Sequence, residues 1–316
     1  MTIEQIYQLA LQLALKEDLR GEKVVKKKLV KLKEKYQQLD KTQKAEFDTE
    51  RLVNPYADSR LYAKNKQHRV KKLLTGIDID TGEVLLAKQL GADAVLSHHP
   101  VGSAFAGIDE VMDMQVEILA QEGIPINIAQ SLIHLRASEV GRSVTRLNHY
   151  KAVDSAQLLG LPIMCAHTFA DNLVTRYLHD LIQKKKKELE TLSDVMQLLK
   201  SIPEYAQAIK QKSGPQIFVG RPESYCGRIG ILEMTGGTNG SKDIYEKMSQ
   251  AGVGTVIGMH MDEEWKKEAE KYHVNVVIAG HISSDSIGMN LLLDEIEKRG
   301  VEIIPCSGLI RVKRYK

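Results

Sequence analysis

The chain has 316 residues, with 44 Lys and Arg against 41 Asp and Glu and a formal net charge of +3, which excludes a uniformly basic nucleic-acid binder and an acidic tail protein but allows local patches. At 43% hydrophobic and 27% charged, the composition is that of a soluble globular protein of about two domains. Aromatics are only 5% of residues and the three cysteines (Cys165, Cys226, Cys306) are widely spaced, so aliphatic side chains must fill the core and neither a disulfide framework nor a thiolate zinc knuckle is expected.

The N-terminus lacks a basic region followed by a small-residue cleavage site, and no apolar run approaches the ~18 residues of a membrane span. A cytoplasmic protein without a membrane partner is expected. Residues 2–19 place Ile3, Ile6, Tyr7, Ala10, Leu13 and Ala14 at helical spacing. After Gly21, Val25, Leu29, Leu32, Tyr36 and Leu39 alternate four and three apart, with seven lysines between positions 23 and 35. Two heptads are too few to commit to a coiled coil, so the helix is read as packing its seam while its lysines meet water; contact with phosphates is the alternative. Asp40 opens a further helix that Asn54-Pro55 ends.

From Val70 the texture becomes alternating β and α, which predicts an α/β class. Strands are expected at 73–79, 94–100, 124–129, 161–167, 228–234, 254–260, 274–281 and 301–305, with a helix over 82–92 stopping near Gly91. QKKKKELE (183–190) reads as a solvated helix. GADAVLSHH (91–99) and GVGTVIGMH (252–260) share length, an initial Gly, an apolar strand and a terminal His, a weak internal repeat that predicts two related α/β lobes. The expected organisation is a Lys-rich helical extension over 1–69, a first lobe over 70–200 and a second over 201–316.

Histidine marks the ends of apolar strands: AVLSHHP, LPIMCAHT and VNVVIAGHI. Sites in α/β sheets assemble at the carboxyl ends of strands. His167 and His281 each have an aspartate four residues on, Asp171 and Asp285; where a strand turns directly into a helix, such a pair shares one face. Thr168 and Ser283 are expected to cap those helices. Neighbouring His98 and His99 would diverge within a strand, but a bend at Pro100 can aim both inward. Four imidazoles and two carboxylates suit two divalent ions, with zinc, manganese, iron, cobalt or nickel favoured over copper(I).

Taken together, LLTGIDID, HHPVG, HTFADN, the TGG loop and AGHISSD resemble the NIF-three-like proteins, also known as GTP cyclohydrolase I type 2 homologs. The resemblance runs from about residue 70 to the C-terminus. It implies two α/β lobes with mixed sheets, a dinuclear metal site between them and a homo-hexameric ring. It also implies His98, His99, His167, Asp171, His281 and Asp285 as ligands, with Asp285 standing where the family usually has Glu. Residues 1–69 gain nothing from it.

Several residues are secondary candidates. His260 mirrors His99 in the repeat and is expected to line the cleft or to serve structure. His149 is read as a satisfied helix-start histidine or a support for the site, and Asp78 as a carboxylate orienting a ligand imidazole. Gly236, Gly237 and Thr238, between a strand and a helix, form a tight turn or an anion-binding loop. Cys165 is expected to pack rather than react. The resemblance implies a metal-dependent hydrolase with a nucleotide substrate such as GTP, using water activated between two ions. The alternative is a non-catalytic metal-containing scaffold whose basic helix contacts protein or, less favoured, nucleic acid.

Overall fold

The computed structural model describes residues 1–315. A capping box between Thr2 and Gln5 starts the helix Ile3–Glu17, which buries Ile3, Ile6, Tyr7, Ala10 and Ala14. The helix Glu22–Gln38 follows and buries only Val25. Asp40 opens a helix as expected, but Lys41–Glu46 is one short element, followed by a single 3-10 turn at Thr49–Leu52.

Among the described residues, nine strands form two mixed sheets. They are β1 (Ser59–Tyr62), β2 (Lys72–Gly76), β3 (Ala94–Ser97), β4 (Ile163–Ala166), β5 (Gln216–Val219), β6 (Arg228–Ile231), β7 (Val253–Gly258), β8 (Asn275–Ile278) and β9 (Glu302–Cys306). The first sheet runs β1-β4-β3-β2-β9 and the second β5-β8-β7-β6. In each, one antiparallel edge strand, β1 or β5, precedes an otherwise parallel set. The common order β1-β4-β3-β2 and β5-β8-β7-β6 is the internal repeat expressed as topology. The first sheet draws β1 from the segment assigned to the extension and β9 from the far C-terminus, so its strands cross the boundaries expected at residues 69 and 201.

Both faces of the strands are covered, which explains their near-continuous apolar runs. Leu73 and Leu96 face one apolar cluster, whereas Leu74, Val95 and Cys165 face another. The former cluster also takes Val256 and Val276 from the second sheet, so the lobes share a core. Cys165 is fully buried there, and burial pushes its thiol up to about 12, in keeping with a packing role. One expected strand is a helix: 124–129 enters Ile126–Val144, with Pro125 at its N-cap. The alternation of Ile124, Ile126 and Ile128 is too short to set the period, whereas Ala129, Ile133, Val140 and Val144 lie buried at helical spacing. The run 183–190 ends the helix His167–Lys185 and continues as one 3-10 turn, its lysines largely exposed. Among the described residues no helix is long and apolar enough to cross a membrane.

Candidate metal centre

Three strand ends converge. Beyond β3 the backbone amides of His98 and His99 still donate to Gly76 O and Ile77 O, both at 2.9 Å, while Ser97 Oγ donates to His99 O at 2.7 Å and holds the bend. Both rings thereby enter one site, their centroids 5.2 Å apart. β4 passes through Ala166 directly into the helix His167–Lys185, so His167 and Asp171 fall on its first turns. β8 passes through Ala279 and Gly280 into His281–Glu297. Gly280 has φ +107°, and a Cβ there would meet Ser213 O at 2.7 Å, so this turn requires glycine. The helices are not capped by Thr168 or Ser283. Their N-caps are Ala166 and Gly280, without a side-chain cap, because each helix begins at the histidine itself. Thr168 Oγ1 donates instead to Asp58 Oδ2 at 2.7 Å.

All six expected ligands meet at the boundary of the lobes. Their donor atoms form three overlapping groups, His98/His99/His167, His99/His281/Asp285 and His98/Asp171/Asp285, each within 4.8 Å. His98 Nε2 lies 3.1 Å from Asp171 Oδ1, and His99 Nε2 lies 3.4 Å from His281 Nε2. His98, His167, Asp171 and Asp285 are buried, whereas His99 and His281 are half-buried. The Asp285 carboxylate is wholly buried, yet neither oxygen has a hydrogen-bond partner, and His98 Nδ1 also lacks one. Around Asp285 Oδ2 stand His99 Nε2 at 3.5 Å, His281 Nε2 at 3.6 Å and His98 Nδ1 at 3.8 Å. An ionised carboxylate buried without hydrogen bonds is costly. A cation shared with the imidazoles would satisfy it, so these residues fit a divalent metal ion.

Two carboxylates orient the rings from behind. Asp78 Oδ1 meets His99 Nδ1 at 2.7 Å, the contact that the orienting role expected from the sequence requires. Asp58 Oδ2 meets His167 Nδ1 at 2.8 Å; the sequence reading missed it, since no spacing ties a lone aspartate before a short edge strand to a helix more than a hundred residues on. In each case the other ring nitrogen is left for the centre. His260 stands beside His281, ring centroids 4.7 Å apart, whereas His149 Nε2 binds Val144 O at 2.8 Å and its ring meets Phe105 edge-on, outside the cluster. Gly236, Gly237 and Thr238 pack against the first lobe: Gln115 Nε2 donates to Gly236 O and Thr238 O at 2.8 and 2.7 Å, and a Cβ on Gly237 would meet Ile108 O at 2.9 Å. These carbonyls are spent on joining the lobes.

Burial opposes charge on His99, but the Asp285 and Asp78 carboxylates overcome it and hold its pKa up at about 10. His167 is likewise raised against its burial, by Asp171 and Asp58. In the metal-free protein both shifts favour protons on ring nitrogens that a metal ion would need. Metal addition at pH 7 is expected to release at least one proton, and apparent affinity to climb by up to ~tenfold per pH unit per proton as pH rises toward that pKa. Calorimetric titration in buffers of differing ionisation enthalpy checks this; heats independent of the buffer would contradict it.

Fold and site define a two-lobed α/β protein with a His/Asp centre where the lobes meet. The chain belongs to the Duf34/NIF3 (NGG1p interacting factor 3) family, whose model matches residues 47–307. It is similar to a NIF3 superfamily protein from Sphaerobacter thermophilus, 31% identical, with a TM-score of 0.74 over 80% of this chain and 92% of that one. A weaker likeness is to reduced HcgD from Methanocaldococcus jannaschii, 16% identical, with a TM-score of 0.49 over 78% of this chain and 87% of that one. No curated protein matches the chain.

Proposed function

We propose that the protein is a dinuclear metal-dependent hydrolase, with purine nucleotides such as GTP as the first substrate class to test. The observation that carries this reading is the buried Asp285 carboxylate, free of hydrogen bonds and ringed by His98, His99 and His281. Six ligand side chains in overlapping groups offer enough donors for two ions. The nitrogen and oxygen set suits zinc, manganese, iron, cobalt or nickel. Bound divalent ions supply Lewis-acid activation of water and of a substrate oxygen.

The chain's own groups do the rest. Asp78 and Asp58 fix the tautomers of His99 and His167 through Nδ1. Buried His98, Asp171 and Asp285 close the back of the site to solvent, and half-buried His99 and His281 leave a side for substrate. Burial, reinforced by His281, keeps His260 down at about 4, so its ring is neutral at pH 7 and adds no positive charge beside His281.

Metal-reconstituted protein is expected to turn over a nucleotide from a purine panel, scored by chromatography and formate release. Activity should disappear on chelation, return with metal and be lost in His281→Ala. Full metal loading with no turnover across the panel would favour the second reading, a non-catalytic scaffold, for which the Lys-rich helix Glu22–Gln38 is the specific observation.

A further inference from the structure

The helix Glu22–Gln38 lies outside the range that the family model matches, and its apolar seam is incompletely covered. Val25 is buried and Tyr36 rests on Phe47, ring centroids 5.0 Å apart, but Leu29 and Leu32 between them are only partly buried. They open onto a groove of about 290 Å³ whose far side includes Pro55, Ala57, Val111 and Met114. That is room for about ten waters at liquid density, enough for apolar side chains from successive turns of a docking helix.

Charge decides what could fill it. The positions flanking the seam are Lys26 and Lys33 on one side and Lys28 and Lys35 on the other. In helix pairing such flanking charges select the partner. Acids near the groove are already engaged: Glu110 with Arg51 at 2.7 Å, Asp113 with His134 at 3.1 Å and Glu117 with Lys28 at 2.7 Å. Lys31 and Lys35 also line the groove and have no ion pair among the described residues. A second copy of this helix would set lysine against lysine, which disfavours self-pairing. Nucleic acid would find lysines but an aliphatic floor, without an open aromatic face on which bases could stack.

We propose that this groove docks an amphipathic helix of a partner protein whose apolar stripe is flanked by Glu or Asp. The test uses the full chain and a fluorescent three-heptad peptide with Leu along the stripe and Glu beside it. A peptide of the same composition in scrambled order and a short DNA duplex serve as competitors. The patterned peptide is expected to bind saturably, at least ~tenfold tighter than the scrambled one, and more weakly as salt rises. Leu29→Asp/Leu32→Asp and, separately, the surface pair Lys31→Glu/Lys35→Glu should each weaken it by ~tenfold or more while circular dichroism and metal content stay unchanged. Equal binding by the scrambled peptide, absence of saturable binding, or tighter binding of the duplex would overturn the proposal. So would self-association of the chain that the leucine double variant abolishes, because the groove would then serve a second copy.

Discussion

Asp285→Asn is expected to strip the centre of metal while the fold persists. Burial resists ionisation of this carboxyl, but His98, His99 and His281 overcome that resistance and hold its pKa down to about 2. The group is therefore anionic throughout the neutral range. Its stabilising effect in the metal-free protein is present above the usual carboxylate pKa and is lost only as pH falls toward about 2. Asparagine keeps the shape and removes the anion that participates in two of the three ligand groups. Metal affinity should fall by more than ~100-fold, beyond the range usual for removing an orienting partner, whereas Asp78→Asn, which touches only the rear nitrogen of His99, should cost ~10–100-fold. Metal content after gel filtration and competition with a chelator measure both. An Asp285→Asn protein that binds as tightly as its parent would remove the carboxylate from the centre. The same variant should let the His99 pKa drop, since one of the two carboxylates that overcome its burial is gone, and the proton release on metal addition should shrink accordingly.

The six expected ligands were legible because three sequence signals coincide at them. An apolar run gives the strand, its end gives the histidine, and a spacing of four gives the aspartate on the first turns of the next helix. Asp58 carries no such pattern. It reaches His167 only because β1 pairs antiparallel with β4, Ser59 opposite Ala166, a register that no local signal encodes. β1 and β5 were missed for a related reason: four-residue antiparallel edge strands are too short for alternation to show. The seam of the Lys-rich helix was readable from its four-and-three spacing, but how much of it the body covers is a tertiary fact. The TGG loop reads first as a tight turn and second as an anion cradle, since glycine provides positive φ for either. Contacts with Gln115 and Ile108 give it an interlobe role that sequence spacing alone could not reveal.

That interlobe packing leads to the second large expected effect, Gly288→Ala. The helices His167–Lys185 and His281–Glu297 cross in close contact, and a Cβ at position 288 would stand 2.3 Å from Ala170 O and 2.8 Å from Ala170 C. The obstacle is backbone, so no rotamer change relieves it. Alanine would gain up to ~1 kcal/mol in helix propensity, but forcing a methyl into a packed interface costs ~1–3 kcal/mol and at such distances more. A net loss follows, visible as a fall in Tm of several degrees. Ala170 adjoins Asp171 and Gly288 lies one helical turn beyond Asp285, so the helices cannot separate without moving the two carboxylates apart. Metal affinity should therefore fall with stability, by ~tenfold or more, since a displacement of ~1 Å degrades a preorganised site. Gly82→Ala is the contrasting case: it lies in the helix Thr81–Gln89 with nothing within 4 Å of its would-be Cβ, and it should raise stability by ~0.5–1 kcal/mol with metal binding unchanged. If Gly288→Ala instead behaved like Gly82→Ala, the contact between the two ligand-bearing helices could not be what sets the spacing of the centre.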